Sequence, residues 1–126
     1  MSELNGLKNK TKSSVVASKV RMATTFLARL KGLLGTDCLN DGEALYLKPC
    51  NSIHMFGMKY PIDAVFLNDK LIVVALVKEI QPGEYSKRYK EASACLELPA
   101  GTVERFEIEE GDQLEWRETN TANDTI

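Results

Sequence analysis

No apolar run in this chain is longer than a strand. The longest, Leu71 to Val77, is followed by Lys78 and preceded by the turn signal Asn68-Asp69. A membrane-spanning helix needs roughly 20 apolar residues, so no span is expected. A chain of this kind must build its core from short segments laid side by side. Turn signals break it repeatedly: Asn40-Asp41-Gly42, Asn68-Asp69, Gln81-Pro82-Gly83, Pro99-Ala100-Gly101 and Glu110-Gly111-Asp112. Each combines residues that accept positive φ or pre-set a turn.

Between these signals the segments have strand character. Ser14–Val20, Ala44–Leu47, Tyr60–Leu67, Leu71–Lys78, Ala92–Leu98 and Gln113–Trp116 are rich in β-branched and large apolar residues. In Tyr60–Leu67 the alternation puts Ile62, Ala64 and Phe66 on one face. Leu71–Val77 is apolar throughout and is expected as a central strand covered on both faces. Tyr60–Leu67 and Leu71–Lys78 form a hairpin about Asn68-Asp69. Only Thr25–Leu34 has helical spacing, with Phe26, Leu27, Leu30, Leu33 and Leu34 on one side and Thr24 or Thr25 as the N-cap. Thr102 caps a further helical turn toward Phe106. The expected fold is mainly β (α+β): a compact β-barrel or sandwich-like domain with one amphipathic helix packed on it.

At 126 residues the chain suits one domain. Residues 13–117 make that domain, between a flexible tail at 1–12 and a disordered tail at 118–126. The net charge of −2 argues against nucleic acid as a partner. Lys8, Lys10, Lys12, Lys19 and Arg21 read as a solvated face. The N-terminus has no apolar leader, and the cytosol is the expected address. Three scattered cysteines, Cys38, Cys50 and Cys95, are no disulfide framework. Cys95, between Ala94 and Leu96, is expected in the core.

The chemistry-bearing residues gather in Asn51–Asp63, which holds the single histidine, His54. Glu97 joins them, because it stands between Leu96 and Leu98 and alternation turns it to the opposite face. Buried there, its carboxylate would need a partner such as Arg29, His54 or a backbone N–H. An enzymatic reading makes His54 a general base oriented by Asp63 or Glu97, with Ser52 as a conceivable nucleophile. A metal reading would recruit His54, Asp63, Glu97 and Cys50, or His54 with Met55 and Met58, but no ligand spacing supports it and no cofactor is expected. A binding reading uses Phe56, Met58 and Tyr60 as walls and Asn51, His54, Lys59, Asp63 and Arg29 as polar contacts. A purely structural reading has Gly57 permit a bend that packs Met55 and Phe56 inward.

Four segments carry a resemblance. They are Arg29-Leu30-Lys31-Gly32-Leu33-Leu34; His54-Met55 followed by Pro61-Ile62-Asp63-Ala64-Val65-Phe66-Leu67; Leu96-Glu97-Leu98-Pro99-Ala100-Gly101; and Ile108 through Gly111-Asp112. In this order and spacing the chain resembles the domain-of-unknown-function 192 family of small uncharacterised proteins, over roughly Val15–Trp116. Many members read Trp-Met-Lys-Asn-Thr where this chain has His54-Met55-Phe56-Gly57-Met58. The resemblance implies a β-rich fold and a stacking or structural role for position 54, and it implies no activity. The functional expectation is therefore non-catalytic binding of a small polar ligand or a protein partner through residues 51–63. The alternative is a hydrolase or metal-dependent enzyme using His54, Asp63 and Glu97.

Overall fold

A computed structural model describes residues 3–119. Eight strands and two short helices follow in the order β1 (Glu3–Asn9), β2 (Ser14–Ala17), β3 (Lys19–Ala23), α1 (Phe26–Lys31), β4 (Glu43–Leu47), β5 (Ile62–Leu67), β6 (Val73–Ile80), β7 (Ala94–Pro99), α2 (Thr102–Arg105) and β8 (Leu114–Thr119). They form two sheets, one of three strands in the order β2-β1-β8 and one of five in the order β3-β4-β7-β5-β6. The fold is mainly β, as expected, but the sheets do not close into a barrel.

Alternation along the three inner strands of the larger sheet divides the core in two. Tyr46, Val65, Leu67, Leu96 and Leu98 face one side, where Leu7, Val16, Ala17 and Leu114 of the smaller sheet meet them. Leu45, Leu47, Ile62, Ala64, Phe66 and Cys95 face the other side. That second face has no sheet over it. Leu33, Ile53, Met55 and Ala92 cover it from irregular segments. Sheet-on-sheet packing seals the first face by regular interdigitation. The second is sealed only as well as loops can manage.

The connection β3-α1-β4 explains where α1 lies. β3 and β4 pair in parallel, and a parallel pair requires a crossover over one face of the sheet. Thr25 caps the helix, its side chain accepting from the Ala28 N–H at 3.1 Å. The helix is shorter than the expected Thr25–Leu34 and buries none of its own residues. Phe26, Leu27 and Leu30 are 69%, 75% and 63% exposed. The amphipathic stripe thus fails to dock on the core; Leu33, just beyond the helix, is what packs inward.

Other expectations change with tertiary context. Ser14–Val20 is two strands in different sheets, broken at Ser18. β6 is an edge strand rather than the central one, and the central position belongs to β7. Two register irregularities in the β5–β6 pairing let its apolar residues divide between the faces: Leu76 joins one cluster, Val74 and Val77 the other. A continuous apolar run therefore need not mean a strand with neighbours on both edges. Residues 3–9, expected in a flexible tail, are a strand paired with both β2 and β8, and Leu7 and Asn9 are fully buried. Glu118 and Thr119 close β8; the rest of the expected C-terminal tail, 120–126, lies outside the described residues.

Two buried carboxylates hold the loops of the fold together. Asp112 accepts from Asn9 Nδ2 at 2.8 Å, from Lys12 Nζ at 2.8 Å and from the Glu109 N–H at 3.0 Å. Burial alone would raise its pKa, but the hydrogen bonds from Lys12, Asn9 and Glu109 outweigh that and hold the carboxyl below its ordinary value. Asp63 accepts from three backbone N–H groups: Glu79 at 2.8 Å, Gly101 at 3.1 Å and Val103 at 2.8 Å. It thereby caps α2 from a neighbouring strand. Thr102, the expected N-cap, lies inside the helix and donates its hydroxyl to the Pro99 carbonyl; Gly101 takes the cap position with φ 94°.

Candidate functional site

The loop-covered face of the larger sheet contains a cavity of about 330 Å³. One wall is α1 and the residues after it, Phe26 through Leu34. The opposite wall is the segment 49–58, which leaves β4 through Pro49. Leu47 and Glu97, from adjacent strands of the sheet, reach it from below.

Segment 49–58 is held in place by a ladder of backbone hydrogen bonds, mostly to residues 81–89. The Gly83 N–H donates to the Met55 carbonyl and the Met55 N–H to the Glu84 carbonyl. The Ser86 N–H donates to Ile53 and the Tyr89 N–H to Asn51. Ser86 Oγ accepts from the Ile53 N–H at 2.9 Å. Tyr89 packs against Phe66 with ring centroids 4.7 Å apart. The stretch Glu84–Glu91, exposed as expected, is thus the scaffold of the wall. Gly57 has φ 83°, which favours glycine and makes the expected bend. Met55 is buried at 1% exposure, but Phe56 is 55% exposed and does not pack inward.

The residues singled out in the sequence separate cleanly. Arg29, Asn51, His54, Met58 and Glu97 line the cavity. Asp63 and Tyr60 do not. Tyr60 hydrogen-bonds Thr36 at 2.8 Å, and burial raises its pKa above the ordinary phenol value. Lys59 pairs with Asp37 at 2.9 Å on the surface. His54 is exposed, its ring stacked on Phe56 at 5.0 Å, its Nδ1 accepting from the Phe56 N–H at 3.3 Å. Among the described residues no cluster of three His, Cys, Asp or Glu side chains suits a metal ion. Sequence reasoning missed the wall supplied by Phe26, Leu30 and Leu34. Their helical stripe is visible in the sequence, where amphipathic spacing predicts a face docked on the core.

Glu97 is the unusual group. It is 7% exposed. Among the described residues it has no hydrogen-bond or salt-bridge partner; the partner expected from Arg29, His54 or a backbone N–H is not there. Burial without a partner pushes its pKa up to about 8, with the negative charge of a Cys50 thiolate adding to the rise and Arg21 opposing it. At neutral pH the carboxyl is protonated and needs no counter-charge. Nearby, the Cys50 thiol is held below its ordinary value, chiefly by a hydrogen bond from Cys95. Cys95 is pushed well up by its burial. All three cysteines are free, and Cys95 is buried as expected.

The DUF192 model, an uncharacterized ACR, matches residues 7–116. The chain belongs to the DUF192 family. Two relatives are archaeal UPF0127 proteins. That of Thermococcus sibiricus is 34% identical over 113 residues, covering 86% of this chain and 72% of the relative. That of Thermococcus kodakarensis is 33% identical over 122 residues, covering 94% and 77%. A crystal structure of a protein of unknown function from Novosphingobium aromaticivorans superposes with a TM-score of 0.71 at 24% identity, over 78% of this chain and 74% of that one. This last likeness speaks for the fold alone. Each of the four segments that suggested DUF192 overlaps the matched span, and the second and third of them carry His54 and Glu97 of the cavity. No helix among the described residues of this DUF192 chain is long and apolar enough to cross a membrane.

Proposed function

We propose that this protein binds a small ligand without catalysing its conversion, and that the ligand sits in the cavity between α1 and segment 49–58. Glu97 carries this reading. The carboxyl of a buried residue, without a partner among the described residues and lining a cavity of about 330 Å³, has a hydrogen-bonding capacity left for something that enters. The volume falls at the lower end of the roughly 300–1,000 Å³ of small-molecule pockets. The lining is mostly apolar, with Arg29, Asn51, His54 and Glu97 as the directed polar groups, a composition that suits such a site.

The enzymatic alternative needs His54, Asp63 and Glu97 to converge. Asp63 spends both carboxylate oxygens on backbone N–H groups on the other side of the sheet, so it offers neither His54 nor a metal a contact. The geometry supports binding over hydrolysis.

The test is a thermal-shift screen of small polar and amphiphilic compounds against wild type and Ser52→Trp, which fills the cavity from an exposed position on its wall. The expected result is compounds that raise the wild-type melting temperature and leave the filled variant unmoved. Compounds that stabilise both equally would remove the cavity from the reading. A second reading, docking of a protein partner, rests on the exposed Leu27, Phe56 and Tyr85 beside the cavity. It predicts that Leu27→Glu, outside the lining, weakens an association while small-compound binding persists.

A further inference from the structure

We propose that the ligand is a small monocarboxylate with an apolar body, its head met by the polar groups of the lining, Arg29 and Glu97 among them, and its body by the apolar ones; this step rests on the cavity reading above. The charges that line the cavity are unbalanced. Arg29 and Lys31 are cations, and among the described residues Glu97 is the one carboxyl. Arg29 has donors to spare: its buried Nε has no partner, and its Nη1 makes one long contact, 3.4 Å to the Pro49 carbonyl. A guanidinium fork matches a carboxylate in shape and charge, and a buried N–H without an acceptor is costly.

Glu97 completes the head site as a donor. Burial raises its pKa to about 8, so at neutral pH it presents an O–H that can donate to a ligand carboxylate instead of repelling it. The groups acting on it come from each side. Arg21 of β3 draws its pKa down, a thiolate at Cys50 of segment 49–58 pushes it up, Cys95 and Tyr60 feel its charge in turn, and Arg29 and Lys31 share the cavity from α1. An amine ligand would have to take the proton off Glu97 and then sit beside two cations.

The body of the ligand is read from the apolar lining. Phe26, Leu30 and Phe56 line the cavity and are 69%, 63% and 55% exposed, so they mark its outer part, while Glu97 at 7% exposure marks its depth. Leu33, Leu47, Ile53 and Met55 line the depth beside Glu97, so apolar side chains run the length of the cavity and cover an aliphatic body wherever its head is held.

Isothermal titration with acetate, butyrate, hexanoate and octanoate, and with n-hexylamine, tests the proposal. The longer carboxylates are expected to bind, each added methylene tightening binding about four-fold, the equivalent of about 0.8 kcal/mol of buried CH₂. Hexanoate affinity should be flat between about pH 6, where the ligand is fully ionised, and pH 8, and fall about ten-fold per pH unit above it, as Glu97 ionises. Glu97→Gln, which keeps a neutral donor, should bind hexanoate at pH 7 and lose that alkaline decline. Arg29→Met should weaken binding at least ten-fold at every pH. Hexylamine binding that strengthens as pH rises through 8 would overturn the monocarboxylate, as would carboxylates that fail while other compounds still stabilise wild type over Ser52→Trp. If no compound distinguishes those two chains, the cavity reading falls with it.

Discussion

Asp63 and Glu97 stand on hydrogen-bonded strands and face opposite sides of the sheet. In the β5–β7 register Asp63 lies opposite Leu98, and Glu97 lies opposite Ala64. Leu98 packs in the cluster toward the smaller sheet, Ala64 in the cluster under the loops. One residue of offset thus sends one carboxylate to cap α2 and the other to a cavity. Their different surroundings give them different roles: Asp63 is satisfied by three N–H donors, and Glu97, without a partner among the described residues, is driven toward its protonated form.

Glu97 should make stability depend on pH. Its folded pKa of about 8 lies above the ordinary 4.5, so the folded state holds the proton more tightly than the unfolded. The stabilising contribution is complete below pH 4.5, declines as pH rises through the window to 8, and is gone above it. The loss is on the order of 5 kcal/mol at about 1.4 kcal/mol per unit. Urea midpoints at pH 5 and pH 9 should differ less for Glu97→Gln than for wild type. Equal differences in the two chains would show that Glu97 is solvated.

Asp63→Ala leaves the N–H groups of Glu79, Gly101 and Val103 without their acceptor. We expect a loss on the order of 3 kcal/mol, since an unsatisfied buried group costs roughly 1–3 kcal/mol. Chemical denaturation measures it directly. A midpoint unchanged from wild type would mean that water replaces the carboxylate without cost.

Asp112 works in the opposite pH direction from Glu97. Its pKa is held below the ordinary value, so its contribution is present above the unfolded pKa and disappears as pH falls through the folded one. Acid titration followed by circular dichroism should show Asp112→Asn losing less stability than wild type below pH 4. At pH 7 the variant should be the less stable chain by about 2 kcal/mol.

His54→Trp should fold and melt within about 0.5 kcal/mol of wild type, as exposed substitutions usually do, because an indole can stack on Phe56 as the imidazole does. Compounds that stabilise wild type should still bind, because an indole N–H can donate as the imidazole does and, stacked on Phe56, the ring stays out of the cavity. Loss of all binding with the melt unchanged would assign His54 a proton-transfer or ligating role that an indole cannot fill.

The thiols should titrate in order of exposure. Cys38 is exposed, Cys50 half-buried and Cys95 buried. With a chromogenic disulfide reagent, Cys38 should react first, Cys50 next and Cys95 only on unfolding, for a total of three. A total of one in denaturant without reductant would mean that Cys50 and Cys95 had joined.

Much of the site was legible because local rules wrote it. Glu97 between Leu96 and Leu98 announced a carboxyl on a buried strand, and Gly57 announced a bend. That Glu97 has no partner was not legible, because alternation assigns a face and says nothing of what stands on it. The α1 stripe was legible as amphipathic, yet its apolar side faces a cavity and solvent. Spacing is the same whatever the stripe meets.

By itself the sequence determined strand-length segments, the turns between them, a threonine cap at Thr24 or Thr25 and the family, since each depends on residues near one another in the chain or on their order. The tertiary structure decided which strand is central, that residues 3–9 are a strand, that Asp63 caps a helix 40 residues away and that segments 49–58 and 81–89 meet. These rest on hydrogen bonds and packing between distant segments. Their partners are selected by the closure of the whole chain, which no local pattern records.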